Sequence, residues 1–203
     1  MRTPPSFALE DEFGGVVAGI DEVGRGPWAG PVVACAVILD RERCPQGLGD
    51  SKKLTQKRRE AACAAVEETA CYALGVVEVP LLDELGIGKA TLLAMSRAVA
   101  ALPRRPDAVL VDGTQLPDTG GIPARAVPRA DALSASVAAA SIVAKVRRDA
   151  HLRELAEDFP PYGWERNKGY GTKDHAEALA RHGVTPHHRR SFAPIKRLLA
   201  TTS

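Results

Sequence analysis

Asp21 and Glu22 close an apolar run, Val16-Val17-Ala18-Gly19-Ile20, and a glycine-flanked arginine, Gly24-Arg25-Gly26, follows at once. Carboxylates at the end of a buried strand are expensive to desolvate unless a cation is held there. The glycines let the backbone bend and approach a ligand closely. Arg25 offers a planar fork of donors suited to phosphate. Two more acids stand at comparable places. Asp112 ends the apolar run Ala108-Val109-Leu110-Val111, and Asp131 follows the short segment 124–127. If these segments are neighbouring strands, four carboxylates converge. Crowded anions repel unless cations neutralise them, and an all-oxygen set favours Mg2+ or Mn2+ over zinc. Two such ions roughly 4 Å apart can activate water and stabilise the leaving oxygen of an in-line displacement. Taken alone, Asp112-Gly113 also fits a plain turn. Side chains alternate along a strand, so Glu22 can join Asp21 only if the strand ends there.

The elements that must position these acids are legible in outline. Strands are expected over 16–20 and 32–39, the second nearly all apolar and therefore buried on both faces. The short link 23–31 makes them antiparallel. A helix capped by Thr55 runs to about residue 69, with Ala61, Ala62, Ala65 and Val66 inward. A strand over 71–79 stops at Pro80, and helices follow over 81–85 and 89–102. Strands over 107–111 and 124–127 precede a long helix over 134–157 with one side of small residues, Ser136, Ala139, Ala140 and Ser141. Residues 158–171 read as a Gly/Pro/aromatic loop, and Thr172 caps a helix ending near Gly183. A leading hairpin followed by alternating strands and helices implies an α/β domain, a central mixed β-sheet flanked by helices, with a small helical C-terminal part. Residues 1–13 read as a flexible N-terminus, 14–192 as the catalytic domain and 193–203 as a basic tail.

Composition sets the bounds. The 203 residues are 45% hydrophobic and 26% charged, ordinary for one soluble domain, and the net charge is only +2. The distribution matters more. From Arg181 to Ser203 there are basic residues, Arg189 among them, and no acid; a second basic cluster is Lys52, Lys53, Lys57, Arg58 and Arg59. Both could meet a polyanion, and Lys52 could contact a phosphate. The four cysteines lack metal or disulfide spacing and read as reduced thiols of a cytoplasmic protein. His175, His187 and His188 lack metal-ligand spacing, and Tyr162 and Trp164 read as core. No signal-peptide core and no membrane-length apolar run is present.

The stretch Asp21-Glu22-Val23-Gly24-Arg25-Gly26, continuing through Ala29-Gly30-Pro31-Val32-Val33, resembles the opening signature of bacterial ribonuclease HII. So do Asp50-Ser51-Lys52-Lys53-Leu54, Val111-Asp112-Gly113, the run Ala135 to Lys145, and Asn167-Lys168-Gly169-Tyr170-Gly171-Thr172. The resemblance covers nearly the whole chain. It implies a ribonuclease H-like fold that hydrolyses the RNA strand of RNA–DNA hybrids and cuts beside ribonucleotides embedded in duplex DNA. It places Asp21, Glu22, Asp112 and Asp131 as metal-binding acids. Gly24-Arg25-Gly26 would contact the ribonucleotide 2′-hydroxyl and a neighbouring phosphate, and Tyr170 the next sugar. The departures are Trp28, where many members carry leucine, and Pro128-Arg129-Ala130-Asp131, where Lys-Gly-Asp is common. A phosphotransferase would want a Gly-x-x-x-x-Gly-Lys-Ser/Thr loop, and none is present. A non-catalytic hybrid binder would lack an acid, and a related DNA nuclease would ignore the 2′-hydroxyl. The expected partners are RNA–DNA hybrid and ribonucleotide-containing duplex DNA, the expected cofactor Mn2+ or Mg2+, and the expected state a monomer.

Overall fold

The structure, a computed structural model, describes residues 4–49 and 54–201. After helix α1 (Ala8–Asp11), strands β1 (Val17–Val23) and β2 (Val32–Ile38) form the expected antiparallel hairpin. Helix α2 (Gln56–Thr69) leads to β3 (Cys71–Val77), which pairs antiparallel to β2. Helices α3 (Val79–Leu85) and α4 (Ile87–Ala100) precede β4 (Ala108–Asp112) and β5 (Ala124–Val127). Strand β4 runs parallel to both β1 and β5, so the mixed sheet has the order β3-β2-β1-β4-β5. The C-terminal part is the long α5 (Ala135–Asp158), then α6 (Trp164–Asn167), α7 (Lys173–His182) and α8 (Ala193–Thr201). No described helix is long and apolar enough to cross a membrane.

Period-two alternation decides which helix each strand residue meets. Ala34, Ala36 and Ile20 pack with the α4 residues Ala94 and Ala98, while Cys35 and Val37 pack with Ala139 and Val143 of α5 on the other face. All of β2 is buried, as its continuous apolar run requires. Gly19 marks where α5 crosses β1, because a Cβ there would lie 2.3 Å from the Ser136–Val137 backbone. Ser134 starts α5 by accepting the Val137 N–H at 3.1 Å, and Thr55 and Thr172 cap α2 and α7 in the same manner.

Four local expectations change. Val66 faces inward as expected, but Ala61 is exposed and Cys63 is the other buried residue of α2. The segment 158–171 is not a plain loop: it holds a 3-10 turn, Pro160–Tyr162, and α6. Residues 193–201 form α8, whose Ile195 is fully buried in a cluster with Leu152, Trp164 and Leu179. The N-terminal stretch also has a seat. Glu10 is buried, and its Oε1 accepts from Ser134 Oγ, the Ser136 N–H and Ser136 Oγ at 2.6, 3.0 and 2.6 Å. A carboxylate suits the positive N-terminal end of α5, so α1 is tied to the helix that flanks the acids.

The C-terminal cluster encloses His175 and His188, whose Nε2 atoms are 3.0 Å apart. Burial holds both below the usual histidine value, His188 at about 3. The unfolded chain therefore takes up these protons first. Their contribution is complete above the unfolded value near 6.5 and is lost as pH falls towards 3. By pH 5 His188 alone costs about 2 kcal/mol. Between pH 7 and pH 5 the thermal midpoint should fall roughly 4–8 °C further than that of His188→Asn. Parallel curves for the two proteins would contradict this.

Candidate active site

Strand β1 pairs with β4 only as far as Ile20 with Val111, and β4 ends one residue later at Asp112. Beyond that point β1 continues, so Asp21 and Glu22 flank a free strand end. Both acids lie inside β1, not beyond it. Asp21 shares the parity of Gly19 and faces α5, where its carboxylate is hydrogen-bonded by Ser141. Glu22 shares the parity of Ile20 and faces α4, beside Thr91 and Met95. They reach a common site because Asp112, at the strand end, is accessible from both faces. Asp112 borders the small α4-side recess of about 120 Å³ and also a cavity on the α5 side. That cavity measures about 270 Å³ and is lined by Asp21, Glu22, Val23, Asp112, Asp131, Ser141, Lys145 and Tyr170.

Asp131 arrives on the 3-10 turn Ala130–Ala132, and the seat of that turn is fixed by Asp112, whose Oδ1 accepts the Ala130 N–H at 2.6 Å. Arg129, at φ +62°, makes the reversal that brings it there. On the opposite wall Lys145 ion-pairs with Asp149 at 2.8 Å.

Asp21 is only 6% exposed, and its carboxyl is held well above the usual range, first by burial, then by the Glu22 charge, and to a lesser degree by Asp112. Burial raises Glu22 as well, against the opposing pull of Arg25, whose Nη1 lies 3.3 Å from Glu22 Oε1. Among the described residues no three acids, imidazoles or thiols stand as a closed metal cage. The donor set nevertheless fits a hard divalent cation. Four carboxylates meet at one cavity, and the most buried of them resists ionisation unless positive charge is supplied.

The Gly24-Arg25-Gly26 turn adjoins this cavity and is held from beneath by two buried arginines. Arg189 donates through Nη2 to Gly24 O (2.6 Å) and Pro31 O (3.0 Å), through Nη1 to Arg25 O (3.2 Å) and through Nε to Gly30 O (2.9 Å). Arg148 donates to Pro31 O, Ala29 O and Lys168 O, each at 3.0 Å. Gly24, at φ +94°, admits no side chain, since a Cβ would lie 2.3 Å from Arg148 Nε. With the Gly24 and Arg25 carbonyls turned inward, the trans peptide geometry turns the Arg25 and Gly26 N–H groups outward. Tyr170, 46% exposed, closes the turn, with its ring edge 3.5 Å from where a Gly26 Cβ would stand.

The structure thus brings together Asp21, Glu22, Asp112, Asp131, Gly24, Arg25, Gly26 and Tyr170. Lys52 lies outside the described residues. Arg189, in the basic stretch that could meet a polyanion, is fully buried. Arg147, on α5, pairs with Glu67 on α2 at 2.6 Å, away from the acids. Arg148 and Arg189 carry no sequence sign of their supporting role, whereas His175 and His188 are the structural residues that one reading of the sequence makes them.

The family model described as Ribonuclease HII matches residues 18–195. A Ribonuclease HII of Jannaschia sp. (strain CCS1) is 54% identical over 195 residues, which are 96% of this chain and 98% of that protein. The crystal structure of the ribonuclease H2 from Pyrococcus horikoshii OT3 superposes with a TM-score of 0.78 at 25% identity, over 92% of this chain and 98% of that one. A structure of Bst-RNase HIII in complex with Mn2+ gives 0.75 at 24% identity, over 98% of this chain and 74% of that one, a likeness of fold alone. The chain belongs to the ribonuclease HII family and is, with it, a hydrolytic ribonuclease of ribonuclease H-like fold.

Proposed function

We propose that this protein is a divalent-metal-dependent endoribonuclease that hydrolyses the RNA strand of RNA–DNA hybrids. It also incises 5′ of single ribonucleotides embedded in duplex DNA, leaving 3′-hydroxyl and 5′-phosphate ends. The observation that carries this reading is one cavity that joins four acids to a backbone-presenting glycine turn and an exposed tyrosine.

Each residue has a distinct task. Asp21, Glu22, Asp112 and Asp131 hold Mn2+ or Mg2+, two ions during catalysis. When bound, the ions activate water and stabilise the departing oxygen. Ser141 orients the Asp21 carboxylate from behind. The Arg25 and Gly26 N–H groups receive the 2′-hydroxyl and the adjoining phosphate oxygen, where glycine leaves room for the sugar. Only the 2′-hydroxyl distinguishes RNA from DNA at that point. Tyr170 packs on the following sugar, so that turn and tyrosine together sense an RNA-to-DNA junction. Lys52 adds a phosphate contact. The protein acts as a cytoplasmic monomer in RNA primer removal and ribonucleotide excision repair.

Metal dependence is tested by chelator-treated protein titrated with Mn2+ or Mg2+. The cation binds the folded acid cluster and not the unfolded chain. At a hundredfold excess over its dissociation constant it should add about 2.7 kcal/mol, a rise of roughly 5–10 °C in thermal midpoint. Hydrolysis of a labelled RNA–DNA hybrid should appear with the metal and vanish with chelator. Undiminished hydrolysis in chelator would end this reading.

A further inference from the structure

We propose that His188 and His175 form a directional hydrogen-bonded relay that positions Tyr170, and with it the reading of the RNA-to-DNA junction. This rests on the role given to Tyr170 above. The direction of the relay follows from donors whose protons are not in doubt. The Thr185 peptide N–H points to His188 Nδ1 at 3.0 Å, so that nitrogen is an acceptor and neutral His188 carries its proton on Nε2. That proton faces His175 Nε2 across 3.0 Å. The Trp164 indole N–H reaches the same His175 Nε2 at 3.2 Å, which makes that nitrogen an acceptor whose single lone pair the two donors share. His175 therefore carries its proton on Nδ1, 2.9 Å from the Tyr170 carbonyl oxygen. Every link points one way, from Thr185 to Tyr170.

Burial makes the relay stiff, and exposure makes Tyr170 dependent on it. His175 and His188 are almost inaccessible, and the Trp28 ring covers Gly171 and lies 5.7 Å from the His175 ring. The Tyr170 ring is half open to solvent, so its own packing does little to orient it. Its backbone is gripped at the carbonyl by His175 and by the Thr172 N–H at 2.8 Å. Loss of the His175 donor frees one of these two grips.

The test is the ratio of cleavage rates on a duplex with one ribonucleotide and on a long RNA–DNA hybrid. His175→Leu, which removes the donor, should lower this ratio about tenfold or more, the scale of a misplaced positioning group. His175→Asn, which keeps an N–H near the Nδ1 position, should restore most of it. In a Tyr170→Ala background His175→Leu should cause no further change. His188→Asn retains an acceptor for Thr185 but not the Nε2 donor, and should lower the ratio by a smaller factor even if His175→Leu folds poorly. A normal ratio in His175→Leu and His188→Asn, while Tyr170→Ala loses it, would overturn the relay alone. An equal loss in the Tyr170→Ala background would overturn it too. A normal ratio in Tyr170→Ala would overturn the role of Tyr170 and the relay with it.

Discussion

Asp112→Asn should abolish hydrolysis and leave the fold standing. Asparagine keeps an oxygen where Asp112 Oδ1 accepts the Ala130 N–H, so the turn that carries Asp131 retains its seat. What is lost is a negative charge at the place where both faces of the sheet meet. That charge is also one of the reasons Asp21 resists ionisation. In metal-free buffer the variant should therefore melt no lower than the parent. Losing a group that merely orients a metal ligand costs up to about a hundredfold, so losing a ligand should cost more than that. Rates on a labelled hybrid and binding by fluorescence anisotropy separate the two effects. An active Asp112→Asn would remove this residue from the chemistry.

Arg189→Met should be among the most destabilising single changes in the chain. The guanidinium is fully buried and bonds four carbonyl oxygens, with no carboxylate partner among the described residues. Burial, with the Arg148 charge adding to it, pulls it down to about 9, which still leaves it charged at neutral pH. Methionine replaces the volume but abandons the carbonyls of Gly24, Arg25 and Gly30, while Pro31 O keeps only its bond from Arg148. An acceptor left buried and unsatisfied costs roughly 1–3 kcal/mol, and broken buried networks of this kind cost about 3–5 kcal/mol. For a chain of this size the thermal midpoint should fall roughly 6–20 °C. Arg189→Lys should recover little, because an ammonium cannot reproduce the planar fork. A wild-type melting curve for Arg189→Lys would mean that charge alone holds the turn.

The contrast between these two residues explains what the sequence could and could not reveal. Asp112 announces itself because a strand end, an acid and a glycine are adjacent in the chain. Thr55, Ser134 and Thr172 are equally local, since a cap bonds a peptide three residues on. Strand β5 and the β1–β2 hairpin are legible for the same reason, apolar runs bounded by turns. Arg189 instead spends its donors on backbone carbonyls some 160 positions away. Carbonyls have no sequence signature, so a structural arginine is indistinguishable from a solvated one. Glu10 meets Ser134 across 124 positions, and Ile195 finds its pocket only when α5, α6 and α7 are assembled. Trp28, an oddity as a substitution, acquires a reason once its ring is seen to lie against Gly171. The sharing of one cavity by Asp21 and Glu22 was expected to need a strand break. It needs instead that β4 stop short, which is a fact of pairing and not of either residue.

The most direct test of the account is cleavage of a labelled DNA duplex carrying one ribonucleotide, with Mn2+ or Mg2+, with chelator, and against an all-DNA control. The account predicts a metal-dependent cut on the 5′ side of the ribonucleotide, with 3′-hydroxyl and 5′-phosphate ends and an intact control. A cut that persists in chelator and leaves a 2′,3′-cyclic phosphate, or equal cutting of the all-DNA duplex, would contradict it.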